Sequence, residues 1–253
     1  MDDLAVMTVR DGDGVSATGF IRSTAAGVFM SPRVGPSETA PDPSDLDISL
    51  VVDPAADLAS DADAAPAAGS GRWGNVRGTW TGAGIEVESL EPPSSAHVDF
   101  FQPAPTRTVS QDRWPQRRVP VPSPTEDAEL DLIAGGAIVS RAVVRSHGGG
   151  EKIAIASPAP ASVEPALRST YGDQLLMVEV PWTAADYEQA HQTLQAKADE
   201  WGVITLGDQF GPRLATHIVV SLQKVTPEIA EWPTALPDGL VDVRPWIRVQ
   251  TWH

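Results

Sequence analysis

The sequence predicts an α+β protein: a β-rich N-terminal small barrel or sandwich, followed by a C-terminal α/β sandwich of ferredoxin-like type. Three observations predict this. Short Val-, Thr- and Ile-rich runs separated by Gly and Asp fill residues 1–105 without a convincing helix. A Pro/Arg-rich strip covers 106–124 and reads as an extended linker, because proline fixes φ and disfavours helix in the residue before it. Residues 125–253 then alternate apolar runs with capped amphipathic segments, which is the pattern of strands separated by helices.

The first region reads as six or seven strands, at 4–10, 14–22, 27–31, 47–52, 75–80, 85–90 and 97–101. The clearest hairpin joins 75–80 to 85–90 through Thr81-Gly82-Ala83-Gly84. The barrel is the favoured form, since the strands are short and the glycines can serve as bends. The stretch 54–71 is Ala, Asp, Ser and Gly, too poor in apolar side chains to offset its ordering entropy. It is expected to be a disordered loop.

The second region opens with a short helix at 127–134, then strands at 137–145 and 152–156. A helix at 162–171 is followed by Gly172, where a left-handed terminator belongs. A buried-type strand spans 175–180. Thr183 with Asp186 three residues later is a capping box, and it opens the surest helix, which the spacing extends to Trp201. Tyr187, Ala190, Leu194, Ala198 and Trp201 form its apolar stripe. Strands at 203–206 and 216–225 precede a short helix with Thr226 as cap and Pro227 at its first position, stopped by Pro233. Residues 240–249 return as an edge strand, consistent with Pro245. No repeat of fixed period is visible.

Composition excludes more than it names. The chain has 253 residues, 34 acidic against 18 basic, net −16, with a pI near 4.5. The charge divides as −11 over residues 1–105, +3 over 106–122 and −8 over 123–253. This acidity argues against a phosphate-backbone binder and against an anionic membrane surface. With no Cys, thiolate nucleophiles, disulfides and Cys-ligated metals are excluded. No apolar run is long enough to span a membrane, and the first residues lack a basic, then apolar, leader pattern. A cytoplasmic location is expected.

Motifs for chemistry fail one by one. His147-Gly148-Gly149-Gly150 resembles an oxyanion-hole run, but no G-x-S-x-G elbow accompanies it, so it reads as a turn. Asp11-Gly12-Asp13-Gly14 lacks the later ligands of a calcium loop. The five His residues show no metal-ligand spacing, and no phosphate-binding glycine loop occurs. No cofactor and no metal are expected. The surplus is Trp: 8 residues of a small aromatic set. Trp114, Trp182, Trp246 and Trp252 lie outside clear core patterns. They are the candidate partner-binding residues, since Trp is favoured at interface hot spots.

Residues 163–245 resemble an uncharacterised group of actinobacterial proteins. The resemblance rests on Ala166-Leu167-Arg168, Tyr171-Gly172-Asp173, Trp182-Thr183, Asp199-Glu200-Trp201, Val225-Thr226-Pro227-Glu228-Ile229, Leu236-Pro237-Asp238-Gly239-Leu240 and Pro245-Trp246. Arg77-Gly78-Thr79-Trp80-Thr81-Gly82 is similar to a hairpin of such proteins. The resemblance implies a bacterial cytoplasmic setting and no catalytic residues. Where the group has a Cys in the strand at 175–180, this chain reads Leu-Leu-Met-Val-Glu-Val, which removes a thiol function.

The reading is a non-enzymatic acidic binding protein, immunity- or inhibitor-like in its most specific form. Its partner would be a protein with a basic surface, and neither nucleic acid nor membrane. The alternative is a small hydrolase or transferase with a site between the two domains. Its candidate groups are His191, His217, Asp173 and Asp208, chosen by side-chain chemistry alone.

Overall fold

The computed structural model describes residues 4–24, 26–32, 47–52, 71–92, 127–145, 151–211 and 213–250. The linker 106–124, the loop up to residue 70, the strand expected at 97–101 and the turn at His147 lie outside the described residues.

The N-terminal region holds β1 (Gly14–Thr24), β2 (Gly27–Ser31), β3 (Ile48–Val51), β4 (Gly71–Trp80) and β5 (Gly84–Glu91). β1 pairs antiparallel with β2, and β2 with β3. β3 runs parallel to β5, β5 pairs antiparallel with β4, and β4 returns to β1 along its whole length. The ladders therefore form a ring, and each of the five strands has a partner on both sides. Alternation along β1 (Val15, Ala17 and Ile21 in, Ser16 and Thr18 half out) points one face at a core of Met30, Ile48, Leu50, Val76, Trp80, Ile85 and Val87. On the opposite face of these strands the buried Arg22 is ion-paired to Asp47, which also accepts from Ser31 Oγ.

The C-terminal region holds α1 (Asp127–Ala134), β6 (Ser140–Arg145), β7 (Glu151–Ser157), α2 (Pro160–Tyr171) and β8 (Leu175–Glu179). It continues with α3 (Ala184–Ala196), β9 (Val203–Phe210), β10 (Thr216–Leu222), α4 (Pro227–Glu231), β11 (Val241–Pro245) and β12 (Arg248–Val249). The strands expected in one ferredoxin-like sheet lie in two sheets of three, ordered β6-β7-β8 and β11-β10-β9. Each sheet has a central strand with one antiparallel and one parallel neighbour. The wiring is thus the same twice, helix-strand-strand-helix-strand, over α1 to β8 and again over α3 to β11. No periodicity in the sequence reveals this, because the two copies share connections and not side chains.

Local chemistry sets the helix ends. Thr183 Oγ1 accepts from Asp186 N while the Asp186 carboxylate accepts from Thr183 N at 2.7 Å, a reciprocal capping box. Those bonds hold the Asp186 carboxyl below the usual carboxylate range. Thr226 Oγ1 accepts from Ile229 N at the start of α4. α3 ends at Ala196, five residues before the position the stripe predicts. The chain instead turns through Lys197–Trp201 to Gly202 at φ +61, and Trp201 packs on Trp232 with ring centroids 5.2 Å apart. A straight helix would carry that indole away from Trp232.

The two regions exchange their ends. Residues 4–7 form a turn where a strand is expected, and Leu4 and Met7 pack into the core of β10, β11 and α3. Thr8 makes a single parallel bridge to Val225. In return, the strand expected at 240–249 breaks after Pro245. Trp246 and Ile247 enter the ring core, and β12 pairs with β1 at Val15 and Ser16. Trp246 Nε1 donates to Thr18 O at 2.7 Å. Gly19 makes this possible: a Cβ there would stand 3.0 Å from the Trp246 ring and closer still to the Ser31 carbonyl.

Candidate functional site

A concavity lies at the start of β11. It is built from three short pieces. The first is the β9–β10 hairpin, closed by Leu214 N donating to Gly211 O at 3.0 Å. Leu214 sits at φ +60, the one described non-glycine residue in the left-handed region, a conformation that costs on the order of 1–2 kcal/mol. The second is the turn Pro237-Asp238-Gly239, with Leu240 N donating to Pro237 O and Gly239 at φ +81. Arg213 clamps the two pieces together. Its guanidinium donates to the Asp238 backbone carbonyl at 2.8 Å, pairs with the Asp238 carboxylate, and lies flat on Gly239, where a Cβ would come within 2.9 Å. The pairing holds the Asp238 carboxyl below its usual range.

The third piece is β11 itself. Val241, Asp242 and Val243 all line the cavity, whose volume is about 340 Å³. That is within the range of small-ligand sites. Successive side chains of a strand point to opposite faces, so a cavity that touches three in a row runs along the strand's edge and not over one face. Among the described residues β11 is an edge strand of its sheet. On one side of this edge lie Leu4, Met7, Pro233 and Trp182; on the other lies His217. Trp182 is 1 % exposed, and its indole N–H has no hydrogen-bond partner among the described residues. An unmade bond at a buried donor costs about 1–3 kcal/mol.

His217 is half-buried against Gly211, where a Cβ would lie 2.5 Å from the imidazole. Burial pushes its pKa down, partly opposed by the nearby Asp242 carboxylate, so the imidazole is neutral near pH 7. Asp242 accepts from Arg244 at 2.7 and 2.9 Å, and Arg244 reaches on to Gln209 Oε1 at 2.7 Å. The polar side of the edge therefore carries the Asp242–Arg244 ion pair, extended by a hydrogen bond to Gln209.

The four catalytic candidates do not assemble. Asp208 and His217 are neighbours on the sheet, but Asp208 pairs with Ile218 and His217 with Gln209. Strand alternation puts them on opposite faces. Asp208 accepts instead from Tyr187 Oη on α3, and His191 stacks on Tyr187 with centroids 6.4 Å apart. Burial and that hydrogen bond raise the Tyr187 pKa well above its ordinary value. Asp173 is exposed in the 3-10 turn after α2. Of the partner-binding Trp set, Trp182 and Trp246 are 1 % and 3 % exposed; Trp182 lines the cleft and Trp246 lies in the ring core. Trp114 and Trp252 lie outside the described residues. Sequence reasoning passed over Arg213, Asp238 and Asp242. Their one visible signal was Pro237-Asp238-Gly239, a turn immediately before an edge strand.

Among the described residues no group of three His, Asp or Glu side chains is placed to hold a metal ion, and no helix is long and apolar enough to cross a membrane. No family model matches the chain, and no curated protein matches its sequence.

Proposed function

We propose that this is a non-enzymatic acidic binding protein whose site is the cleft along β11, and whose partner is a protein with a basic surface. The observation that carries the reading is the cleft's position. It combines an apolar wall, two rim carboxylates that are each paired with an arginine, and a sheet edge with no further strand among the described residues, in a chain of net charge −16. A large charge of one sign accelerates encounter with a partner of the other sign. An immunity- or inhibitor-like role in a bacterial cytoplasm is the specific form, and the actinobacterial resemblance is its setting. We further infer that the ring of β1 to β5 is a small five-stranded Greek-key barrel, the architecture of OB-folds. That architecture by itself assigns no ligand.

The alternative, a small hydrolase or transferase, draws on one observation, the neutral His217 imidazole facing the cleft beside Asp242. Loss of a model ester- or amide-cleaving activity in His217→Asn, with the fold intact, is the result that would favour it.

The binding reading is tested by affinity capture at about 50 mM and about 500 mM salt, concentrations that bracket the screening of surface charge. The captured protein is then purified and titrated. A basic partner with salt-weakened affinity is the expected outcome. A partner set indistinguishable from that of an unrelated protein of equal negative charge contradicts it.

A further inference from the structure

We propose that the partner is bound as an added strand: an extended segment alternating apolar and cationic residues, hydrogen-bonded to the outer edge of β11. This rests on the binding-protein reading above and names the mode of recognition.

The direction of the β11 backbone is fixed by its partners. Ile218 N donates to Leu240 O, and Trp246 N donates to Leu222 O. Leu240 and Trp246 therefore turn their peptide groups toward β10, as do Asp242 and Arg244 at the same parity. The peptide groups of Val241, Val243 and Pro245 turn the other way, toward the cleft. Edge strands in soluble proteins are commonly blocked by charge, bulge or proline. Here Pro245 supplies such a block, but only at the far end, and it removes a donor from the outward row. Val241 and Val243 keep theirs, without a partner among the described residues, where both line the cavity.

The two sides of the edge dictate the incoming side chains. Val241 and Val243 pack with Leu4 and Met7 on the apolar side. Asp242 stands on the opposite side; Arg244 holds its Oδ2, and the carboxylate is 43 % exposed. Side chains directly across a ladder interact pairwise, so a fourth strand places apolar residues beside the two valines and a cation beside Asp242. Main-chain bonds then supply affinity, and alternate pockets supply specificity, as in strand addition generally.

The probe is a fluorescein-labelled peptide of about eight residues alternating Val and Arg, the length of an ordinary strand. Binding is read by fluorescence anisotropy. The expected result is saturable binding that falls at least about tenfold when alternate amides along one edge are N-methylated, and survives methylation along the other edge. Val243→Pro is expected to cause a similar loss with the fold intact, since Pro245 already occupies the same parity of the same strand. Equal binding by both methylated peptides overturns strand addition and leaves the basic-partner reading standing. Equal binding by a Val/Glu peptide overturns the basic-partner reading itself. No saturable binding up to about 1 mM, the weak limit of specific recognition, overturns the inference. Sedimentation of the protein alone covers the remaining occupant: a dimer lost in Val243→Pro assigns the edge to a second copy and overturns the partner segment.

Discussion

The ring of β1 to β5 and the sheet of β9 to β11 solve the same problem in opposite ways. Every strand of the ring is paired on both sides, with β12 added to β1 at Val15 and Ser16. The β11-β10-β9 sheet ends in strands with one partner each among the described residues. The ring spends its sequence on closure: Gly78 and Gly84 lie against the carbonyls of Glu86 and Ser49, where a Cβ would clash with backbone. The sheet's close glycines, Gly211 and Gly239, lie instead against the side chains of His217 and Arg213. Backbone contact fixes a fold, whereas side-chain contact shapes a cleft whose parts can still move. The proposed binding site lies at the edge of this sheet and not in the ring.

Breaking the ring is expected to have the largest effect. Trp246→Ala removes a buried indole shared by both regions and its bond to the Thr18 carbonyl. It should cost about 3–5 kcal/mol in chemical denaturation. Because the chain ends are exchanged, the loss should appear as one destabilised transition for both regions. Two separated transitions would show that the ends do not couple them.

Gly78→Ala comes next. It drives a methyl group into the Glu86 backbone at the irregular β4–β5 register, and should cost about 1–3 kcal/mol. Gly211→Ala should cost less, since the imidazole can swing, and should show itself in the His217 titration. Equal costs at the two sites would erase the distinction between closure and cleft.

The two tryptophans sharpen the same contrast. Trp246→Phe loses a hydrogen bond, and Trp182→Phe loses a donor that has no partner among the described residues. The Trp182 change should therefore be milder by about 1 kcal/mol. A larger loss at Trp182 would mean that its N–H is satisfied.

The smallest effect is on pH dependence. The folded pKa of His217 lies below the ordinary 6.5, mainly through burial, with Asp242 pulling it up and Arg244 pushing it down. As pH falls through about 6.5 the unfolded chain takes up a proton that the folded protein refuses, so stability declines there until the folded value is reached. His217→Asn should flatten that decline in denaturation curves between about pH 7 and pH 5. An unchanged slope would place the titration elsewhere.

Much of this was legible in the residues. The capping box at Thr183 and Asp186, the hairpin through Gly82 and the edge character marked by Pro245 all act within a few residues, and local chemistry decides them; Gly172 does end α2, but at φ +50 and ψ −128 and not in the left-handed helical well expected. The ring was foreseen only as a small barrel or sandwich, because the parallel β3–β5 pairing that closes it joins segments far apart in the chain. The long stripe through Tyr187 and Trp201 overran the end of α3, since a helical period cannot report that Trp201 would find Trp232 by turning. The cleft was hidden for the same reason. His217 was named for its chemistry, but Arg213, Asp238 and Asp242 become a site only when a hairpin, a turn and an edge strand meet.

The most direct test is hydrogen exchange at the Val243 amide, measured by NMR beside the Val76 amide of the ring. Val243 is expected to exchange rapidly and Val76 slowly in the protein alone, with Val243 becoming slow when the Val/Arg peptide saturates the cleft. Val243 as protected as Val76 without peptide, or unprotected at saturation, would contradict strand addition.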